Sequence, residues 1–75
     1  MTPAQCRAAR ALVRMSIKDL ALAAMIPEVA IWNYERGAGA LWSTDRDALR
    51  NTLEHAGVEF IDGDQPSVRL RKGPE

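Results

Sequence analysis

A small, mainly α-helical bundle closed by a short C-terminal β-hairpin is the fold this sequence predicts, on three observations. The 75 residues are 47% apolar but only 5% aromatic, which favours an aliphatic core of interlocking helices. Helix-start signals recur at Thr2-Pro3-Ala4-Gln5, at Ser16-Ile17-Lys18-Asp19 and at Thr44 with Asp47. After Gly57 the apolar period shortens to alternation, in Val58 and Phe60 and again in Val68 and Leu70. A chain of this length holds one domain, with the bundle over 1–57, the hairpin over 58–72 and a tail over 73–75.

The first helix begins with Thr2 as its cap and Pro3 where a missing N–H costs nothing, and Gln5 can reach back to complete a capping box. It is expected to run to about Met15, with Ala9, Leu12 and Val13 beside Ala4 or Cys6 as its apolar stripe. Arg7, Arg10 and Arg14 follow at helical spacing on a neighbouring stripe. Ser16 and Asp19 start a second helix over roughly 17–24. Pro27 interrupts the apolar run from Leu20 to Ile26 and belongs in the first turn of a third helix, so a tight turn falls at Met25-Ile26.

That third helix takes Glu28 to about Arg36 and stops at Gly37. Ile31 with Tyr34 or Glu35 faces inward, while Glu28, Val29, Trp32, Asn33 and Arg36 share the outward face. Gly37-Ala38-Gly39-Ala40 connects to Leu41 and Trp42, expected as anchors. A fourth helix, capped by Thr44 and Asp47, then runs to about Ala56 with Leu49 and Leu53 inward. Asp62-Gly63-Asp64-Gln65-Pro66 supplies the turn of the hairpin. Two strands alone are marginal in water, so the hairpin must pack on the helices or pair with another chain.

Ten basic and ten acidic side chains cancel, which removes the broad attraction to polyanions that many nucleic-acid binders show. The distribution is uneven. Residues 1–18 hold four bases and no acid, residues 19–64 three bases and nine acids, and residues 65–75 three bases and one acid. The single Cys6 cannot form an internal disulfide, in keeping with a reducing, cytoplasmic setting. No stretch approaches the roughly 18 apolar residues of a membrane span, and the start lacks the pattern of an export signal. Neither membrane insertion nor export is expected.

Two short helices joined by a tight turn, with a capped helix on each side, describe a helix-turn-helix within a small bundle. The segment Ser16, Leu20-Ala21, Ile26, Ile31 and Glu35-Arg36-Gly37 resembles the XRE family, the Cro and lambda-repressor-like helix-turn-helix regulators. The likeness extends over residues 5–57, and Gly57-Val58-Glu59-Phe60-Ile61 with Val68-Arg69-Leu70-Arg71 resembles the tails of a bacterial subgroup. It implies a bundle of four or five helices, the second bracing on the DNA backbone and the third in the major groove. It also implies a salt bridge between Arg10 and Glu35. Independently, an acid at a helix C-terminus opposes the dipole and wants a cationic partner.

The sequence departs from the family pattern at four places. Ile17 stands where a polar Gln commonly follows the cap, removing a donor for phosphate or base. Met25 replaces the usual turn glycine and must accept a positive φ or reshape the turn. Pro27 replaces a serine cap, and Glu28, Val29 and Ala30 stand where Arg, Gln, Ser or Thr would read bases.

Two outcomes are open for that surface. In the first, Glu28 accepts from cytosine N4, Val29 touches a thymine methyl, Asn33 reaches adenine, and Lys18 with Arg14 or Arg36 neutralises phosphates of a double-stranded operator. In the second, Val29 and Trp32 anchor a protein partner, as in an antiactivator or antitoxin-like module that has left DNA. The first is the reading adopted: a DNA-binding transcriptional regulator, a repressor, acting as a homodimer. Because one module offers few base contacts, two half-sites are expected, with Val58, Phe60, Val68 and Leu70 in the dimer-forming hairpin.

Other residues carry plainer readings. Trp32 is divided between partial burial against the fourth helix and ligand contact. Arg7, Arg10 and Arg14 are a solvated face with one member paired to Glu35, or else a phosphate track. His55 is a helix-end residue and Cys6 a small core residue. Arg69, Arg71 and Lys72 form either a basic arm or the polar face of a strand. No phosphate loop, no nucleophile with its base and no second His or Cys at ligand spacing is present, so neither enzyme, metal nor cofactor is expected.

Overall fold

The computed structural model describes residues 1–71; Lys72, expected in the hairpin, and the tail 73–75 lie outside the described residues. Four helices and a two-stranded antiparallel sheet follow one another as α1 (Pro3–Val13), α2 (Ile17–Ala24), α3 (Glu28–Glu35), α4 (Ser43–His55), β1 (Val58–Ile61) and β2 (Ser67–Leu70).

The capping signals at the first two helices act as read. Thr2 Oγ1 accepts from the Gln5 amide at 3.1 Å and Gln5 Oε1 from the Thr2 amide at 2.8 Å. Ser16 and Asp19 exchange the same pair of bonds at 2.9 and 3.1 Å. The helix ends hold differences. Instead of reaching Met15, α1 stops at Val13, because Arg14 turns left-handed at φ 57° and the Met15 amide bonds back to the Arg10 carbonyl. Met25 takes the positive φ itself at 59° and ends α2. Its side chain is 90% exposed, so the strained backbone meets no second steric demand.

Thr44 does not cap α4. The cap is Trp42, two residues earlier, so the helix begins at Ser43 from a residue that offers no side-chain acceptor. Nor does Trp42 anchor the connector. It is 81% exposed, and Leu41 alone packs against the core. The reason is directional: once Ser43 is helical, Trp42 lies outside the first turn and its indole projects past the bundle.

The core is small and aliphatic, built from Cys6 and Ala9 of α1, Leu20 and Ala21 of α2, Ile26, Ile31 and Tyr34, Leu49 and Leu53 of α4, and Val58 and Phe60 of β1. Leu12 was expected in the stripe of α1 but is an exposed residue, and Gln5 is buried instead. Gln5 Nε2 donates to the carbonyls of Ile61 at 3.1 Å and Ser67 at 3.0 Å, where the two strands meet. A buried amide is tolerated there because every polar atom has a partner. The hairpin is thereby pinned to the first turn of α1. Arg50 of α4 adds a second tie, lying 5.0 Å over the Phe60 ring and bonding Asp62 at 3.5 Å.

Register pairs Val58 with Leu70, Glu59 with Arg69, Phe60 with Val68 and Ile61 with Ser67. The Arg71 amide donates to the Gly57 carbonyl at 2.7 Å, making that flanking pair a hydrogen-bonded one. By the alternation of antiparallel ladders, Glu59–Arg69 and Ile61–Ser67 are bonded pairs too. The backbone N–H and C=O groups of Val68 and Leu70 therefore point away from β1, along an open edge.

Candidate nucleic-acid interface

Two faces of α3 have opposite characters. Ile31, Tyr34 and Glu35 are buried, while Glu28, Val29, Trp32, Asn33 and Arg36 are all exposed. This is the division that the 3.6-residue spacing predicts.

The inner face is fastened by charge. Glu35 is 2% exposed, and its carboxylate takes a two-point grip from Arg10, with Nε to Oε2 and Nη2 to Oε1 both at 2.7 Å. The Arg10 Nη1 donates further to the Met15 carbonyl at 3.0 Å, tying the same side chain to the approach of α2. Cys6 Sγ donates to Glu35 Oε2 at 3.1 Å, and Arg7 donates to the Glu35 main-chain carbonyl. The last bond satisfies an orphan acceptor at the helix end. Burial pushes the Cys6 thiol well above its ordinary range, reinforced by the adjacent carboxylate, so it stays a protonated donor. Arg10 is raised by its own hydrogen bonds to Glu35, which keeps the guanidinium charged. Tyr34 is raised by burial, and its hydroxyl donates to the Met1 carbonyl at 2.9 Å.

The Arg10–Glu35 pair is thus as expected. The roles of Cys6 and Arg7 were missed. A signal was present, since Cys6 stands one turn before Arg10 on the same side of α1 and so faces the same partner.

The outer face borders an open groove of about 640 Å³ between the start of α2 and α3, lined by Ile17, Lys18, Glu28, Val29 and Trp32 among others. Trp32 is 49% exposed, with the Arg36 guanidinium 4.8 Å from its ring centroid. Glu28 has no ion-pair partner among the described residues. Lys18 is exposed on the α2 side of the groove, and Arg14 is exposed at the C-cap of α1, outside the groove lining. Pro27 stands at the N-cap of α3 without a side-chain bond to the helix amides.

The residues assigned to dimerisation divide. Val58 and Phe60 are buried within the protomer's own core, Val68 is half-buried, and Leu70 is exposed. Arg69 is paired with Glu59 across the strands, which makes it part of the polar strand face. The His55 ring nitrogen Nδ1 lies 2.8 Å from the Asn51 carbonyl. Among the described residues no three His, Cys, Asp or Glu side chains are grouped to hold a metal ion, and no helix is long and apolar enough to cross a membrane. Comparison with protein-family models and with curated proteins gave no match.

Proposed function

We propose that this chain is a sequence-specific DNA-binding transcriptional regulator of the XRE type, reading a double-stranded operator with α3 in the major groove. One observation carries the reading: the outer face of α3 is exposed along its whole length while its inner end is held to α1 by the Arg10–Glu35 pair. A reading helix must be both accessible and rigidly aimed. Asn33 then meets an adenine edge, Glu28 a cytosine N4 and Val29 a pyrimidine methyl, with Arg14, Lys18 and Arg36 on phosphates. Occupying an operator obstructs transcription by itself, so repression is the simplest output, and the working place is the cytoplasm.

The dimer follows from the small number of base contacts in one module. The open edge of β2 at Val68 and Leu70 suits antiparallel pairing with a second copy. A second reading, a protein partner docked on α3, is favoured by the apolar pair Val29 and Trp32, which are 63% and 49% exposed beside the groove.

Fluorescence anisotropy with labelled duplex from upstream of the chain's own gene, at two salt concentrations, separates the two. If both copies contribute three phosphate contacts, affinity falls about a thousandfold between roughly 50 and 200 mM salt. Absence of binding at low salt by the folded protein overturns the DNA reading and turns attention to a protein partner.

A further inference from the structure

We infer that the DNA site recognised by α3 contains 5-methylcytosine opposite Glu28 and Val29. The inference rests on the DNA reading and specifies its ligand. At the start of α3 a carboxylate with no ion-pair partner among the described residues and an exposed valine occupy consecutive positions on the border of one groove. Pro27 before them brings neither hydroxyl nor amide hydrogen, and Ala30 after them brings no polar atom. The first turn of the helix therefore presents one carboxylate acceptor and one apolar surface; its own side chains offer no hydrogen-bond donor, and the donor groups lining the groove come from Arg10, Ser16, Lys18 and the Trp32 indole.

Base edges in the major groove sort cleanly against that pair. Guanine offers only acceptors, which a carboxylate repels. Thymine offers a methyl beside the O4 acceptor, so Val29 is satisfied and Glu28 is not. Adenine offers the N6 donor beside the N7 acceptor and has no methyl. Cytosine offers the N4 donor, but its C5 carries only hydrogen. A 5-methyl group on cytosine puts a donor and a methyl side by side on one pyrimidine, the complement of a carboxylate next to a valine. Trp32 lines the same groove one helical turn on from Glu28, and its indole extends the apolar wall against which such a methyl loses water. Lys18 also lines the groove, and its cation offsets the repulsion that Glu28 meets from a phosphate backbone.

The test is selection from a randomised duplex library of about 20 base pairs, amplified in parallel with dCTP or with 5-methyl-dCTP. The recovered sites are then titrated as defined duplexes against the full chain. The expected result is a site with one cytosine position at which methylation tightens binding about fourfold, the contribution of one buried methyl. Replacement of that base by thymine should weaken binding about tenfold through the unmatched Glu28. Val29→Ala should bring the methylated-to-unmethylated ratio close to one while leaving the rest of the site preference in place. Glu28→Gln should instead erode the distinction between cytosine and thymine and retain the gain from a methyl. Both side chains are exposed, so the variants fold, as circular dichroism will verify.

Recovery of sites bound equally or more weakly when methylated overturns the inference and leaves the DNA reading standing. So does a gain that follows the methyl of a neighbouring thymine, detected by replacing it with deoxyuridine, while the cytosine methyl has no effect. Recovery of no site from either library by folded protein overturns the DNA reading and the inference together.

Discussion

The two sides of α3 solve different problems with the same eight residues. On the inner side a charged residue is buried, and every polar atom around it is matched: Glu35 meets Arg10 at two points, Cys6 at a third and Arg7 at its backbone carbonyl. On the outer side a chemically similar residue, Glu28, is exposed beside apolar Val29 and has no ion-pair partner among the described residues. The difference is one of consequence. An ion pair out of water imposes a geometry because its loss leaves a charge stranded, whereas an exposed carboxylate imposes nothing on the fold and is left for whatever docks there.

The harshest way to break this contrast is to remove the inner acid. Glu35→Ala leaves Arg10 facing the protein without its partner and should cost on the order of 3 kcal/mol. Chemical denaturation reads this directly. An unchanged midpoint would mean that water enters the junction and that the inner face is no more constrained than the outer. The neutral counterpart is Gln5→Ala, which frees the Thr2 amide from its partner and removes the side-chain bonds to two strand carbonyls. Roughly 2 kcal/mol is expected, with the hairpin amides losing hydrogen-exchange protection before those of α3.

The junction should also show itself in alkali. The Cys6 thiol is raised in the folded chain, while in the unfolded chain it releases its proton near 9.0. Above that pH the unfolded state binds fewer protons than the folded one, so stability is full below pH 9.0 and declines as pH rises toward the folded value. The slope approaches about 1.4 kcal/mol per pH unit. Tyr34, also raised, adds a decline of the same sign from about its ordinary 10.0. In Cys6→Ala the earlier decline should vanish and the tyrosine's remain. A flat profile in the unsubstituted protein across this range would sink the picture of a sealed junction.

The smallest stability effects belong to the outer face. Val29→Ala, Asn33→Ala and Glu28→Gln should each stay within about 0.5 kcal/mol of the parent. Asn33→Ala should nevertheless weaken operator binding about tenfold, as expected for one lost bidentate base contact. A mutation silent in folding and loud in binding is the signature that separates the two faces.

Much of this organisation was legible along the chain because it is local. Capping boxes at Thr2–Gln5 and Ser16–Asp19 depend on residues three apart, and the inner and outer sides of α3 follow from helical periodicity. The start of α4 was misplaced because no side chain caps it. Without a capping bond, neither Thr44 nor Asp47 marks the start of the helix, and Trp42, expected with Leu41 as an anchor, stands exposed at the N-cap. Leu12 was likewise assigned to the core for being apolar but is exposed, whereas polar Gln5 is buried because it bonds two strand carbonyls 56 and 62 residues away.

By itself, then, the sequence determined that helices form, the tight turn between the second and third, the change of period at Gly57 and the need of Glu35 for a cationic partner, while Arg10 as that partner was what the family resemblance implied. The first three are settled by spacing within a few residues, the fourth by the demand of one charge for its opposite. Tertiary structure alone decided that Cys6 and Arg7 join that pair, that Gln5 holds the hairpin and that Val58 and Phe60 are spent in the protomer's own core. It also set Glu28, Val29, Trp32 and Lys18 around one groove. Which side chains meet across a fold depends on how the helices cross, and no repeat along the chain encodes a crossing angle.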